Sequence, residues 1–276
     1  MGSAGGPPNG PVPAGRQCPG SSRCGAQHDH ARGAGRPCAE NGSGRPDDVP
    51  PGQAASVGAV WVPTVETYAE LGRRVLAGPA RLGRTRLVAV DGPSGAGKSV
   101  FAARLADALA ALPGGGRPPV VHTDDLLDGW ADQLTFWPRL ERWVLAPLRA
   151  GKPGAYRRYS WVRRCFLPRE LPVPPAPVVI VEGVSAARAA VRPELTLSVL
   201  VTAPAELRSS RAVARDGPGI LPELRRWHAG ERAHFAADGT ADAVDLVVDG
   251  APGLPHDPGT EYVALGGGKA GIRCRS

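Results

Sequence analysis

Apolar residues between positions 57 and 250 follow two alternating rhythms. Short continuous runs at 87–90 (Leu-Val-Ala-Val), 119–122, 178–181 (Val-Val-Ile-Val), 195–201 and 244–248 have the length and β-branched content of parallel strands covered on both faces. Between them lie stretches with apolar residues at helical spacing: 64–76, 100–112, 134–148, 205–214 and 223–237. In 134–148 the spacing is carried by Leu134, Trp137, Leu140, Val144, Leu145 and Leu148. Pro113 and Gly114 to Gly116 stop the second stretch, and Gly78-Pro79 the first. Strands alternating with helices predict an α/β fold in three layers, α/β/α, around a five-stranded parallel sheet with right-handed crossovers.

The flanks read differently. Residues 1–55 are crowded with Gly, Pro, Ser and Arg and hold almost no large apolar side chains, which predicts a disordered extension. The globular domain is expected over 56–250 and a C-terminal tail over 251–276. No continuous apolar segment suits a secretory leader or a membrane span, so the expected setting is cytoplasmic. Five cysteines, an odd number without repeated spacing, argue against a disulfide framework, and Cys18, Cys24 and Cys38 with His28 and His30 match no paired zinc pattern.

Residues 92–99 read Gly-Pro-Ser-Gly-Ala-Gly-Lys-Ser, a complete G-x-x-x-x-G-K-[ST] loop between a predicted strand and a predicted helix. Glycine lets main-chain N–H groups converge on an oxyanion, and the helix that follows aims its positive end at the same point. Gly92, Pro93, Ser94, Gly95, Ala96, Gly97, Lys98, Ser99 and Val100 are therefore candidate nucleotide-binding residues. Lys98 would reach the β- and γ-phosphates, and the Ser99 hydroxyl would ligate Mg²⁺.

In a parallel sheet, ligands sit beyond the carboxyl ends of the strands. The run 119–122 leads into Thr123-Asp124-Asp125, and the run 178–181 into Glu182-Gly183. A carboxylate there can hold Mg²⁺ or accept a proton from an attacking hydroxyl, while an aspartate can also cap the helix that follows. Asp124 and Glu182 join Ser99 as candidate metal ligands. Arg208, Arg211 and Arg215 recur at intervals of three and four, one face of a helix that could close over phosphates as a lid, with Gly217-Pro218-Gly219 as its mobile break.

Charge is concentrated as well. Residues 139–170 hold nine basic and two acidic side chains, an excess equal to the formal net charge of +7 of the whole chain. Close to a phosphate site such a patch suits a small anionic ligand rather than a nucleic-acid duplex, or it is simply a solvated basic face.

The set formed by 92–99, Asp124, Val181-Glu182-Gly183 and Arg208-x-x-Arg211-x-x-x-Arg215-Asp216 resembles uridine kinase and its relatives among P-loop small-molecule kinases, over about residues 86–249. The resemblance implies a P-loop NTPase-type fold with a small lid and transfer of the γ-phosphoryl of ATP, with Mg²⁺, to a hydroxyl of a nucleoside, uridine- or cytidine-like, or of a related small metabolite. It implies Asp124 as general base, Lys98, Arg211 and Arg215 at the transferring phosphoryl, and Arg208 at the nucleotide. Residues 156–161, Tyr-Arg-Arg-Tyr-Ser-Trp, fall where that family places an acceptor-gripping hairpin, so Asp125, Tyr156, Tyr159 and Arg164 are the expected substrate contacts. Here the chain departs from the family pattern: Ser160 follows Tyr159 where an Asp is expected, and Arg163-Arg164 replaces a His. The alternative is a nucleotide-binding regulatory protein or pseudo-kinase. The Asn-Lys-x-Asp motif of guanine-reading switches and the Leu-Ser-Gly-Gly signature of transport ATPases are both absent from the sequence.

Overall fold

The computed structural model describes residues 62–266. The expected extension over 1–55 and its cysteines lie outside them.

The described chain begins with strand β1 (Thr64–Thr67) and helix α1 (Tyr68–Ala77), where the sequence pattern predicts a single helix from 64. The reason is local: the Thr67 hydroxyl accepts from the Glu70 amide and caps the helix at that point. Strand β2 (Arg86–Asp91) runs into the glycine loop and helix α2 (Lys98–Ala111). Then come β3 (Val120–His122), a 3₁₀ turn at Thr123–Asp125, and a helical segment of α3 (Trp137–Leu140), a π turn (Glu141–Leu145) and α4 (Ala146–Arg149). Strands β4 (Gly154–Ser160) and β5 (Cys165–Val173) form an antiparallel hairpin apart from the main sheet. The chain continues through β6 (Val178–Glu182), β7 (Leu195–Thr202), α5 (Ala205–Asp216), α6 (Leu221–Asp238), α7 (Thr240–Ala243), β8 (Leu246–Asp249) and β9 (Glu261–Gly266).

Seven strands among the described residues make one sheet in the order β3-β6-β2-β7-β8-β9-β1. The first five are mutually parallel, and β9 runs antiparallel to both β8 and β1. The five expected parallel strands are these five, and β9 and β1 extend the sheet beyond them. The expected tail is corrected, since β9 falls within 251–276. Tyr262, Val263 and Ala264 are buried, and that burial is what draws the strand onto the sheet.

The central strands are buried on both faces by alternation. Leu87, Ala89, Val179 and Val181 pack with Leu140, Val144, Leu148 and Trp227 on one side. Val88, Val90, Val178 and Ile180 pack with Leu71, Val75, Phe101, Leu105 and Leu109 on the other. Helices on both faces leave the carboxyl ends of β3, β6, β2 and β7 as the open edge of the parallel core, and the glycine loop lies there.

Candidate functional site

The loop between β2 and α2 is bound from several sides. Gly92 has φ 138°, and a Cβ there would stand 2.1 Å from the Val201 carbonyl oxygen, so only glycine fits. Asp91, fully buried at the end of β2, accepts from the amides of Gly92 (2.7 Å), Ser185 (2.8 Å) and Ala187 (2.8 Å), which ties the loop to the turn after β6. Burial pushes its carboxyl up to about 6, against those amide bonds and the Lys98 charge. Lys98 is itself nearly buried and donates from Nζ to the Pro93 carbonyl at 3.1 Å.

Strand register decides which acids meet. Val90 and His122 both pair with Glu182 across the sheet. The Glu182 Oε1 atom accepts from Ser99 Oγ at 3.0 Å and lies 2.5 Å from His122 Nδ1. Burial works to raise the Glu182 carboxyl, but the His122 hydrogen bond, the charges of Lys98 and His122 and the Ser99 hydroxyl outweigh it and hold it below its usual value. The same hydrogen bond raises His122, burial acting against it.

Asp124 is open to solvent yet sits in a cleft with protein on most sides. That partial desolvation raises its carboxyl; Lys98, Arg215 and His122 oppose the rise and Glu182 adds to it. Asp125 is also raised, first by desolvation, with His122 and Arg158 opposing.

Two cavities meet at Asp124. One, of about 520 Å³, is lined by Gly95, Gly97, Lys98, Ser99 and Glu182 and extends past Arg211 to Gly250 and Tyr262. The other, of about 1010 Å³, is walled by Trp130, Tyr159, Trp161 and Trp227, with Asp125, Arg164 and Glu223 on its rim. Ser94, Asp124, Ala212 and Arg215 line both. The indoles stand edge to face: Trp130 lies 5.2 Å from Trp161 and 5.5 Å from Trp227, and Tyr159 lies 5.4 Å from Trp161. The Trp161 indole N–H donates to the Asp124 carbonyl at 3.3 Å, so the hairpin β4–β5 reaches the acid-bearing turn.

Not every residue expected at the site lines it. Tyr156 is buried and absent from both cavity walls, and its hydroxyl donates to Asp125 Oδ2 at 3.4 Å. Arg208, expected at the nucleotide, lines neither cavity wall and donates to the carbonyls of Ala203 (3.1 Å) and Ser94 (3.4 Å). Arg211 donates to the carbonyls of Gly95 and Gly250 at 3.1 Å each while facing the phosphate-loop cavity, and Arg215 is paired with Asp216. Gly92, Pro93 and Ala96 shape the loop without lining either cavity; Val100 lines the first.

Hard-oxygen donors suited to Mg²⁺ stand together in Ser99 and Glu182, with Asp124 on the same cavity. Among the described residues no group of three or more His, Cys, Asp or Glu could hold a metal ion alone. That donor set fits an ion completed by phosphate oxygens and water, the usual arrangement for Mg²⁺. The basic patch is partly answered by acids: Arg149 pairs with Glu141 and Glu194, Arg139 with Asp132, and Arg158 lies 3.9 Å from Asp125. No helix among the described residues is long and apolar enough to cross a membrane.

Asp91, His122, Trp130, Trp227 and Glu231 belong to the site or its support and follow from no motif. Trp227 and Glu231 do fall four apart on a predicted helix, which places them on one face without showing what that face meets.

No family model matches the chain. Over 133 residues, 47% of its length, it is 33% identical to the inorganic pyrophosphatase TTM2 of Arabidopsis thaliana, and it spans 20% of that protein. Among solved structures, a possible uridine kinase from Bacillus stearothermophilus aligns with a TM-score of 0.49 at 18% identity, covering 65% of this chain and 96% of the other. A candidate fructose transport system kinase from a Silicibacter species aligns at 0.46 and 22%, covering 62% and 95%. At these scores neither structure fixes what this chain does.

Proposed function

We propose that the chain is an ATP- and Mg²⁺-dependent phosphotransferase that moves the γ-phosphoryl of ATP to a hydroxyl of a nucleoside, uridine- or cytidine-like, or of a related small metabolite. The observation that carries this reading is the position of Asp124 on the shared wall of two cavities, one built on the phosphate loop and the other on aromatic rings. A donor and an acceptor in those cavities would meet at a carboxylate, which is what in-line transfer to a hydroxyl needs.

Each residue has a part in this reading. The loop amides and Lys98 bind the phosphates, and Arg211 and Arg215 neutralise charge on the transferring group. Mg²⁺ held near Ser99 and Glu182 would offset charge between the β- and γ-phosphates. Asp124, with a proton affinity raised by its cleft, takes the proton of the acceptor hydroxyl. Tyr159, Trp130, Trp161 and Trp227 offer faces and edges to a planar ring, and Asp125 and Arg164 offer polar contacts on the rim.

The test is ADP release with Mg²⁺-ATP and a panel of nucleosides and other hydroxyl metabolites. Acceptor-dependent ADP is expected with at least one, and none from any would leave the pseudo-kinase reading. For Asp124→Asn we expect nucleotide affinity nearly kept and turnover reduced by about 10² to 10⁴. Unchanged turnover would remove Asp124 from the mechanism.

A further inference from the structure

Glu231, on α6, is 1% exposed and takes no part in the mechanism above. Its Oε1 atom accepts from the Ser94 amide at 2.7 Å and from the Trp227 indole N–H at 2.8 Å. All three polar groups of Ser94 are thereby engaged: the amide by Glu231, the hydroxyl by the Trp227 indole at 2.7 Å, and the carbonyl by Arg208. Arg208 Nη1 also lies 3.6 Å from Glu231 Oε2.

A buried carboxylate beside a phosphate cradle is an unfavourable neighbour for a polyanion, and desolvation adds to its cost. The Arg208 guanidinium offsets part of that charge. What the carboxylate accomplishes lies in its two other bonds: Ser94 belongs to the phosphate loop and lines both cavities, while Trp227 walls the aromatic one. A buried carboxylate that accepts from two separate elements in this way holds its neighbours in a single arrangement.

We propose that Glu231 is a positioning residue that locks Ser94 of the phosphate loop to Trp227 of the aromatic wall, so that nucleotide binding at the loop is transmitted to the acceptor cavity. The proposal rests on the phosphotransferase reading. The two cavities are then energetically linked through a three-residue contact, and the link is reciprocal: an occupant against Trp227 shifts nucleotide affinity by the same factor.

The experiment uses the full chain, Mg²⁺ and a non-hydrolysable ATP analogue. Calorimetry reads binding and intrinsic fluorescence reads the indoles, with Trp227→Phe isolating the Trp227 part of the signal. We expect the analogue to change the wild-type fluorescence, Trp227→Phe to lose most of that change, and Glu231→Gln and Glu231→Ala to diminish it by about threefold or more while still binding the analogue. A merely structural role would lower melting temperature without uncoupling the indole from binding. The proposal is overturned if the Glu231 variants keep the full response, or if wild type and Trp227→Phe respond alike, a comparison that holds even where the Glu231 variants fail to fold. Absence of binding heat in the wild type would overturn the phosphotransferase reading itself, a result distinct from bound nucleotide with a silent Trp227.

Discussion

Glu182 shows how little room the site leaves its neighbours. Gly183, directly after it, has φ 139°, and a Cβ there would stand 1.8 Å from Thr123 Oγ1. Thr123 is buried and opens the turn that carries Asp124 and Asp125, so the glycine sets the spacing between the two acid-bearing strand ends. Gly183→Ala should cost about 1–3 kcal/mol in backbone strain, read by urea unfolding, and should lower turnover further than that loss explains because Asp124 moves. Thr123→Ala in the same chain should restore part of the activity; no recovery would mean that the two residues do not act through this contact. The sequence names Asp124 and Glu182 through their places at strand ends. It is silent on His122 against Glu182, because the partner of a strand residue depends on register across the sheet.

Helix α6 is legible as a helix and opaque as a participant. Its apolar spacing marks an element over 223–237, close to the observed Leu221–Asp238, but periodicity does not reveal that its buried face carries Glu231 and Trp227 to the phosphate loop. The same helix holds two histidines whose Nε2 atoms are buried without a hydrogen-bond partner, His228 and His234. Burial lowers both; Glu231 opposes this at His228 and Asp238 at His234, while Arg208 and Arg232, and Arg188 and Arg192, add to it. A folded value below the unfolded one favours the neutral ring. The stability it contributes is therefore present above about pH 6.5 and lost as pH falls through the folded values. Asp91 and His122, both raised in the fold, act in the opposite direction over the same range, so the histidine part is read by difference: between pH 7.5 and 5.5 the urea midpoint of a His228→Gln, His234→Gln double variant should drop less than that of the wild type. Equal drops would assign the acid sensitivity elsewhere.

At the scale of the whole molecule, a ligand that binds only the folded chain raises its stability by mass action. With Mg²⁺-ATP at about 100 times its dissociation constant the gain is about 2.7 kcal/mol, or roughly 5–10 °C in melting temperature for a chain of this size. Chelation of Mg²⁺ should remove most of that rise. A melting temperature indifferent to nucleotide and metal would contradict a triphosphate site on the loop.

The linear chain by itself settled the alternation of strands and helices and marked the glycine loop between β2 and α2, since both are local patterns: burial imposes a period, and the loop motif is glycine, lysine and a hydroxyl at fixed spacing. Tertiary structure alone decided the rest. It added β9 and β1 to the sheet, set Arg208 and Tyr156 outside both cavity walls, and gathered Trp130, Trp161 and Trp227 from three separate segments around one cavity. The physical reason is that these outcomes rest on contacts between residues far apart in the chain, and such contacts follow from strand order and packing, which no window of neighbouring residues encodes.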